Sequence, residues 1–139
     1  MAVYYRLSKK NDPKCEQTYG KYYARAVHME TIGTRELAGI MQDNCTLKRS
    51  DIVATISELV DTMTRELQNG KRIRLDGLGT FKIGLCSEGV SDPADFRPDR
   101  HVKSAHILFY PETHVSREGV RHRALLWGTK AQELPDGNR

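Results

Sequence analysis

The sequence has no apolar run approaching the roughly 20 residues that cross a bilayer, and Met1–Lys10 is too polar for a signal peptide. A soluble cytoplasmic protein without a membrane partner is therefore expected. Cysteine is scarce: Cys15, Cys45 and Cys86 lie far apart, with no CxxC pair. An odd number without spacing argues against both a disulfide framework and a zinc site, so reduced structural thiols are expected. The signatures of catalysis are missing too. There is no GxxxxGK[ST] phosphate loop and no GxSxG elbow, and the five histidines form neither HxH nor HExxH. Gly77-Leu78-Gly79 begins like a dinucleotide fingerprint, but a strand follows it rather than the helix N-terminus that holds a pyrophosphate. Asp92, Asp95 and Asp99 lack the EF-hand pattern and are interrupted by Pro93 and Pro98, so they read as exposed loop acids. The expectation is a protein that is not an enzyme, with no cofactor, metal or small-molecule substrate.

What is present is one domain's worth of chain, 139 residues with 38% hydrophobic and 29% charged content. The net charge of +4 is mild, but it is unevenly placed. Residues 1–30 carry six basic and three acidic groups, and residues 31–70 carry four and six. Residues 71–110 carry seven and five, and residues 111–139 five and four. An acidic middle is thus flanked by basic segments, which suits a polyanionic partner better than the total does.

Val3-Tyr4-Tyr5-Arg6-Leu7 and Tyr22-Tyr23-Ala24-Arg25-Ala26-Val27 read as strands. Thr34 is placed to cap a short helix carrying Leu37, Ile40 and Met41. Ile52, Val53, Ile56, Leu59, Val60, Met63 and Leu67 then recur at helical spacing over about four turns. Thr46 or Ser50 is expected to cap that helix, and Gly70 to end it in the left-handed region. Lys71–Leu75 and Thr80–Leu85 alternate polar and apolar residues about the turn Asp76-Gly77-Leu78-Gly79, which predicts a β-hairpin. Residues 86–100 look irregular. Ile107–Tyr110 reads as a third strand, ended by Pro111. Val120, Leu125, Leu126 and Trp127 could form a short helix, and residues 133–139 should be disordered. In the hairpin, Arg72, Arg74 and Lys82 share the polar phase, either as a solvated face or as a set of phosphate contacts.

Three stretches of this sequence, Thr34–Ala38, Leu47–Val53 and Leu67–Phe81, resemble the bacterial HU/IHF family of histone-like DNA-binding proteins. In that family a helical hairpin precedes a segment G-x-x-V-x-L-x-G-F-G-x-F. Here it runs from Gly70 to Phe81, with Ile73 and Leu78 as mild substitutions. The strands bearing Tyr4-Tyr5 and Tyr22-Tyr23 look like those of longer, Bacteroides-type relatives. The resemblance implies an α+β fold in which a helical hairpin is followed by a three-stranded antiparallel sheet with an arm. It implies an intertwined homodimer that binds and bends double-stranded DNA largely without sequence preference, in the nucleoid. The expected boundaries are 1–120 for the DNA-binding domain, including a strand extension over 1–32, and 121–139 for a partly disordered tail.

The candidate DNA contacts are Lys71, Arg72, Arg74, Lys82, Arg97, Arg100 and Lys103, with Pro98 as the residue to insert between base steps. The family's arm carries an Arg-Asn-Pro type tip. The equivalent excursion, Cys86–Ser104, has no such tripeptide and holds three basic against four acidic groups. The alternative reading is an HU-like dimeric interaction module that has lost strong DNA binding and recruits a protein by edge pairing of its N-terminal strands.

Overall fold

The computed structural model describes residues 2–11, 13–14 and 16–135. The chain divides into two compact units, one made of residues 1–33 and 128–139 and the other of residues 34–127.

The first unit is a three-stranded sheet. β1 (Ala2–Lys9) lies at its centre, paired antiparallel to β2 (Tyr22–Ala26) with Arg6 opposite Arg25 and Ser8 opposite Tyr23. Its other edge takes a strand from the far end of the chain, Lys130–Glu133, which runs parallel to β1 with Gln132 opposite Tyr4. Lys130–Glu133 falls in the segment read as tail and is an ordered strand. The expectation of disorder over 136–139 lies outside the described residues.

The second unit opens with α1 (Thr34–Gln42) and α2 (Arg49–Gln68), which form the helical hairpin that the periodicity predicts. The capping differs from the expectation. Lys48 occupies the N-cap of α2 without a side-chain bond, and neither Thr46 nor Ser50 caps it. Instead the Gln42 side-chain oxygen accepts from the Arg49 N–H at 2.7 Å, and the Arg49 Nε donates to the Arg35 carbonyl at 2.9 Å. The first helix therefore supplies the cap of the second, which fixes the bend between them. At the other end Gly70, with φ 77°, ends α2 as expected. Its N–H donates to the Leu67 carbonyl and that of Lys71 to the Glu66 carbonyl, the pair of bonds that closes a Schellman motif.

β3 (Ile73–Leu75), β4 (Gly79–Ser87) and β5 (Val102–Pro111) form an antiparallel sheet in that order. Ile73 pairs with Phe81, which pairs with Phe109. Strand alternation then puts Ile73, Leu75, Phe81, Ile83, Leu85, Ala105, Ile107 and Phe109 on one face. The Phe81 and Phe109 rings meet there at 4.7 Å. Gly79, buried at φ 153°, stands where a Cβ would come within 2.3 Å of the Tyr110 carbonyl oxygen. Only glycine allows β4 to approach β5 that closely.

The excursion between β4 and β5 is compact rather than irregular. Asp92 accepts from the Ala94 N–H at 2.9 Å and starts a single 3₁₀ turn, Pro93–Asp95. A one-turn helix α3 (Pro98–His101) follows. Beyond β5, β6 (Thr113–Val115) and β7 (Arg121–Arg123) pair as a small hairpin, with His114 opposite His122. This replaces the short helix expected around Val120–Trp127. Gly119 at φ 79° and the Ser116 to Val120 hydrogen bond turn the chain back, and Leu125 at φ 67° departs from helical geometry.

Little of the chain is buried. Ala38, Ile52, Leu67 and Leu134 are the buried hydrophobic residues among those described.

Candidate nucleic-acid interface

The second face of the β3–β4–β5 sheet carries Arg74, Thr80, Lys82, His106 and Tyr110, with Leu108 opposite Lys82. It exists because the hairpin alternates strictly on either side of a glycine turn. Leu75 accepts from the Leu78 N–H at 3.0 Å, and Gly77, at φ 79°, supplies the left-handed residue of the turn. Arg72, one residue before β3, is exposed and reaches the level of Lys82 by the Ile73–Phe81 register. The Lys82 ammonium sits 5.2 Å from the centre of the Tyr110 ring, which props its stem along the sheet.

The expected cations do not all stand alike. Arg74 is held by two carboxylates, at 3.2 Å from Asp76 and 2.8 Å from Glu112. Lys71 pairs with Glu66 and Lys103 with Glu88. Lys103 falls at the irregularity of the β4–β5 ladder, where Cys86 pairs with Ser104 and Ser87 with Val102. Arg72, Lys82, Arg97 and Arg100 have no ion pair among the described residues. The sheet thus brings Arg72, Arg74 and Lys82 together, while Arg97, Pro98 and Arg100 lie apart on the excursion.

On that excursion Arg97 precedes α3, and its N–H donates to His101 Nδ1 at 2.8 Å. The Phe96 and His101 rings pack at 5.3 Å. Pro98 occupies the first turn of α3 with its ring exposed, a place where a missing N–H costs nothing.

The residue that sequence reasoning passed over is Glu112. Its carboxylate accepts from the Gly77 N–H and from Arg74, its own N–H donates to the Leu78 carbonyl at 3.0 Å, and its carbonyl accepts from Ala124. It therefore ties the hairpin turn to the end of β5 and to the β6–β7 hairpin. The Gly77 N–H, with help from the Arg74 guanidinium, holds its carboxyl below the usual glutamate range, against a desolvation effect second only to that of Gly77. The Lys71 ammonium does the same for Glu66. No local pattern announces Glu112, because Gly77 is 35 residues away in sequence. Among the described residues no group of three or more His, Cys, Asp or Glu is placed to hold a metal. No helix among them is long and apolar enough to cross a membrane.

The second unit is thus a helical hairpin followed by a glycine-turned, three-stranded sheet with a polar face. The chain belongs to the family of HU domains fused to a winged helix-turn-helix, an immunoglobulin-like or a glycine-rich motif, whose model matches residues 1–123. Among solved structures it is similar to a candidate bacterial DNA-binding protein from Bacteroides vulgatus, with a TM-score of 0.58 and 12% sequence identity. The match covers 96% of this chain and 48% of that one, so this chain spans about half of its structural neighbour. No curated protein matches it.

Proposed function

We propose that the protein is a non-enzymatic, histone-like architectural DNA-binding protein that acts on duplex DNA as a homodimer in the nucleoid. The observation that carries this reading is the polar face of the β3–β4–β5 sheet in a chain of the HU family, where Arg72 and Lys82 stand without acidic partners. Their role is to neutralise phosphates, which fixes position without reading bases. Arg97, Arg100 and the exposed Pro98 extend the contact along the arm, where bending of the duplex would arise. Lys71, Arg74 and Lys103 contribute less, since each must first leave a carboxylate.

The homodimer is supported by the apolar face of the same sheet. Leu85 is 65% exposed and Ile107 58% exposed in the single chain, and so large a clustered apolar area needs a partner. A second copy would bury it and double the number of free cations. The three occupied cations favour a second reading, an HU-like interaction module with weak DNA binding.

The test is binding of a labelled duplex of about 30 base pairs, followed by fluorescence anisotropy at low salt. Changing Arg72→Glu together with Lys82→Glu should weaken binding about tenfold or more, or about 1.4 kcal/mol. Wild-type protein that binds no duplex at low salt would overturn the DNA reading in favour of the interaction module.

A further inference from the structure

The N-terminal sheet carries a second pattern that the duplex-binding face does not use. Across β2, β1 and β8 (Lys130–Glu133, named above), cross-strand partners share a face. One face carries Val3, Tyr5, Leu7, Lys9, Tyr22, Ala24, Ala26, Ala131 and Glu133, where one basic residue is matched by one acidic residue. The other is built in rows. Lys130 stands beside Ala2, Gln132 beside Tyr4, Arg6 beside Arg25, and Ser8 beside Tyr23. The two rings therefore bracket a pair of guanidinium groups, and none of these strand positions bears an acid. Tyr23 is 41% exposed, and Arg25 and Lys130 are exposed, with no ion pair for either among the described residues.

We propose that this face is a binding platform for single-stranded DNA. The occupant follows from shape and charge. Tyr23 is exposed on the sheet surface and Tyr4 is half-buried, and a base can reach such rings only if it is already unstacked from a duplex. Base stacking on tyrosine needs no sequence information, and cations between the rings meet the phosphates that join successive bases. The face extends the proposed DNA role from the duplex to a separated strand, and it uses none of the hairpin cations.

The full chain should bind a fluorescein-labelled 20-nucleotide oligo(dT) in low salt. Arg25→Glu with Lys130→Glu should weaken oligo(dT) binding at least tenfold and leave the 30-base-pair duplex affinity within about twofold. The Arg72→Glu, Lys82→Glu variant should do the reverse. Folding is not at risk in the first variant, because the new carboxylate at 25 faces Arg6; far-UV circular dichroism checks it. Tyr23→Leu should cost severalfold in oligo(dT) binding, while Tyr23→Phe, which keeps the ring, should retain it. Loss of duplex binding alone would refute the duplex reading and leave this one standing. Unchanged oligo(dT) affinity in the Arg25, Lys130 variant overturns the platform. So does equal loss with Tyr23→Leu and Tyr23→Phe, or stronger binding of oligo(rU) than of oligo(dT).

Discussion

Gly79 and Gly84 lie on the same strand, β4, and each faces β5, yet replacing them by alanine should have very different costs. At Gly79 the added Cβ would lie 2.3 Å from the Tyr110 carbonyl oxygen, 2.7 Å from Phe109 Cε2 and 3.0 Å from Pro111 Cα. Two of these are backbone atoms that cannot swing aside without opening the β4–β5 ladder. The residue also holds φ 153°, which L side chains avoid. Overpacking of a tight contact costs about 1–3 kcal/mol, and an unfavourable backbone region adds about 1–3 more, so Gly79→Ala should lose about 2–6 kcal/mol. At Gly84 the close atoms are the His106 ring, at 2.7 Å, and Leu108 Cδ1, at 3.0 Å. Both are side-chain ends, and His106 is exposed and free to change rotamer. The unfolded chain also loses freedom when glycine becomes alanine, so Gly84→Ala should cost less than about 1 kcal/mol. Urea unfolding followed by far-UV circular dichroism, at one fixed protein concentration, measures both. Midpoints for the two variants that agree within about 1 kcal/mol would refute the claim that backbone proximity at the hairpin turn, rather than β4 packing in general, demands glycine.

Gln42→Ala should lower stability by about 1 kcal/mol, the usual worth of a helix N-cap, although it sits in the preceding helix; thermal unfolding reads this, and no change in midpoint would show that the Gln42–Arg49 bond caps nothing. The acid limb of the stability curve tests Glu112. Its carboxyl titrates below the ordinary glutamate value in the folded protein, so its stabilisation is complete above that value and is lost as pH falls through the lowered one. Glu112→Gln should therefore be less stable than wild type at pH 7 and converge with it in acid, whereas parallel pH profiles would contradict the clamp on Gly77 and Arg74.

The elements of the second unit were legible where the signal is local. Seven apolar residues from Ile52 to Leu67 mark α2, and Gly70 stops it by a backbone geometry that depends on four neighbouring residues. The hairpin is legible because alternation and turn chemistry agree. The same locality misleads elsewhere. Val120, Leu125, Leu126 and Trp127 suggest a helix by composition, but Gly119 and the pairing of β6 with β7 decide otherwise. The pairing of Ala2 with Lys130 brings together opposite ends of the chain, and no short-range pattern encodes it. For the candidate site, the phase of Arg72, Arg74 and Lys82 is a property of the strands and can be counted from sequence. Which of them keeps a free charge depends on Asp76 and on Glu112, and Glu112 arrives from the far end of β5.

The salt dependence of duplex binding tests the central claim most directly. Arg72, Lys82, Arg97 and Arg100 are the candidate cations without an ion pair among the described residues, and log affinity falls with log salt at about 0.9 per phosphate neutralised. These four cations in each of two subunits predict a slope of about −7 for a homodimer, against about −3.6 for one chain. A slope near −7, falling by about 4 when Arg72→Glu and Lys82→Glu are made in both subunits, is the expected result. A slope near zero, or one that the two substitutions leave unchanged, would contradict DNA binding by this face.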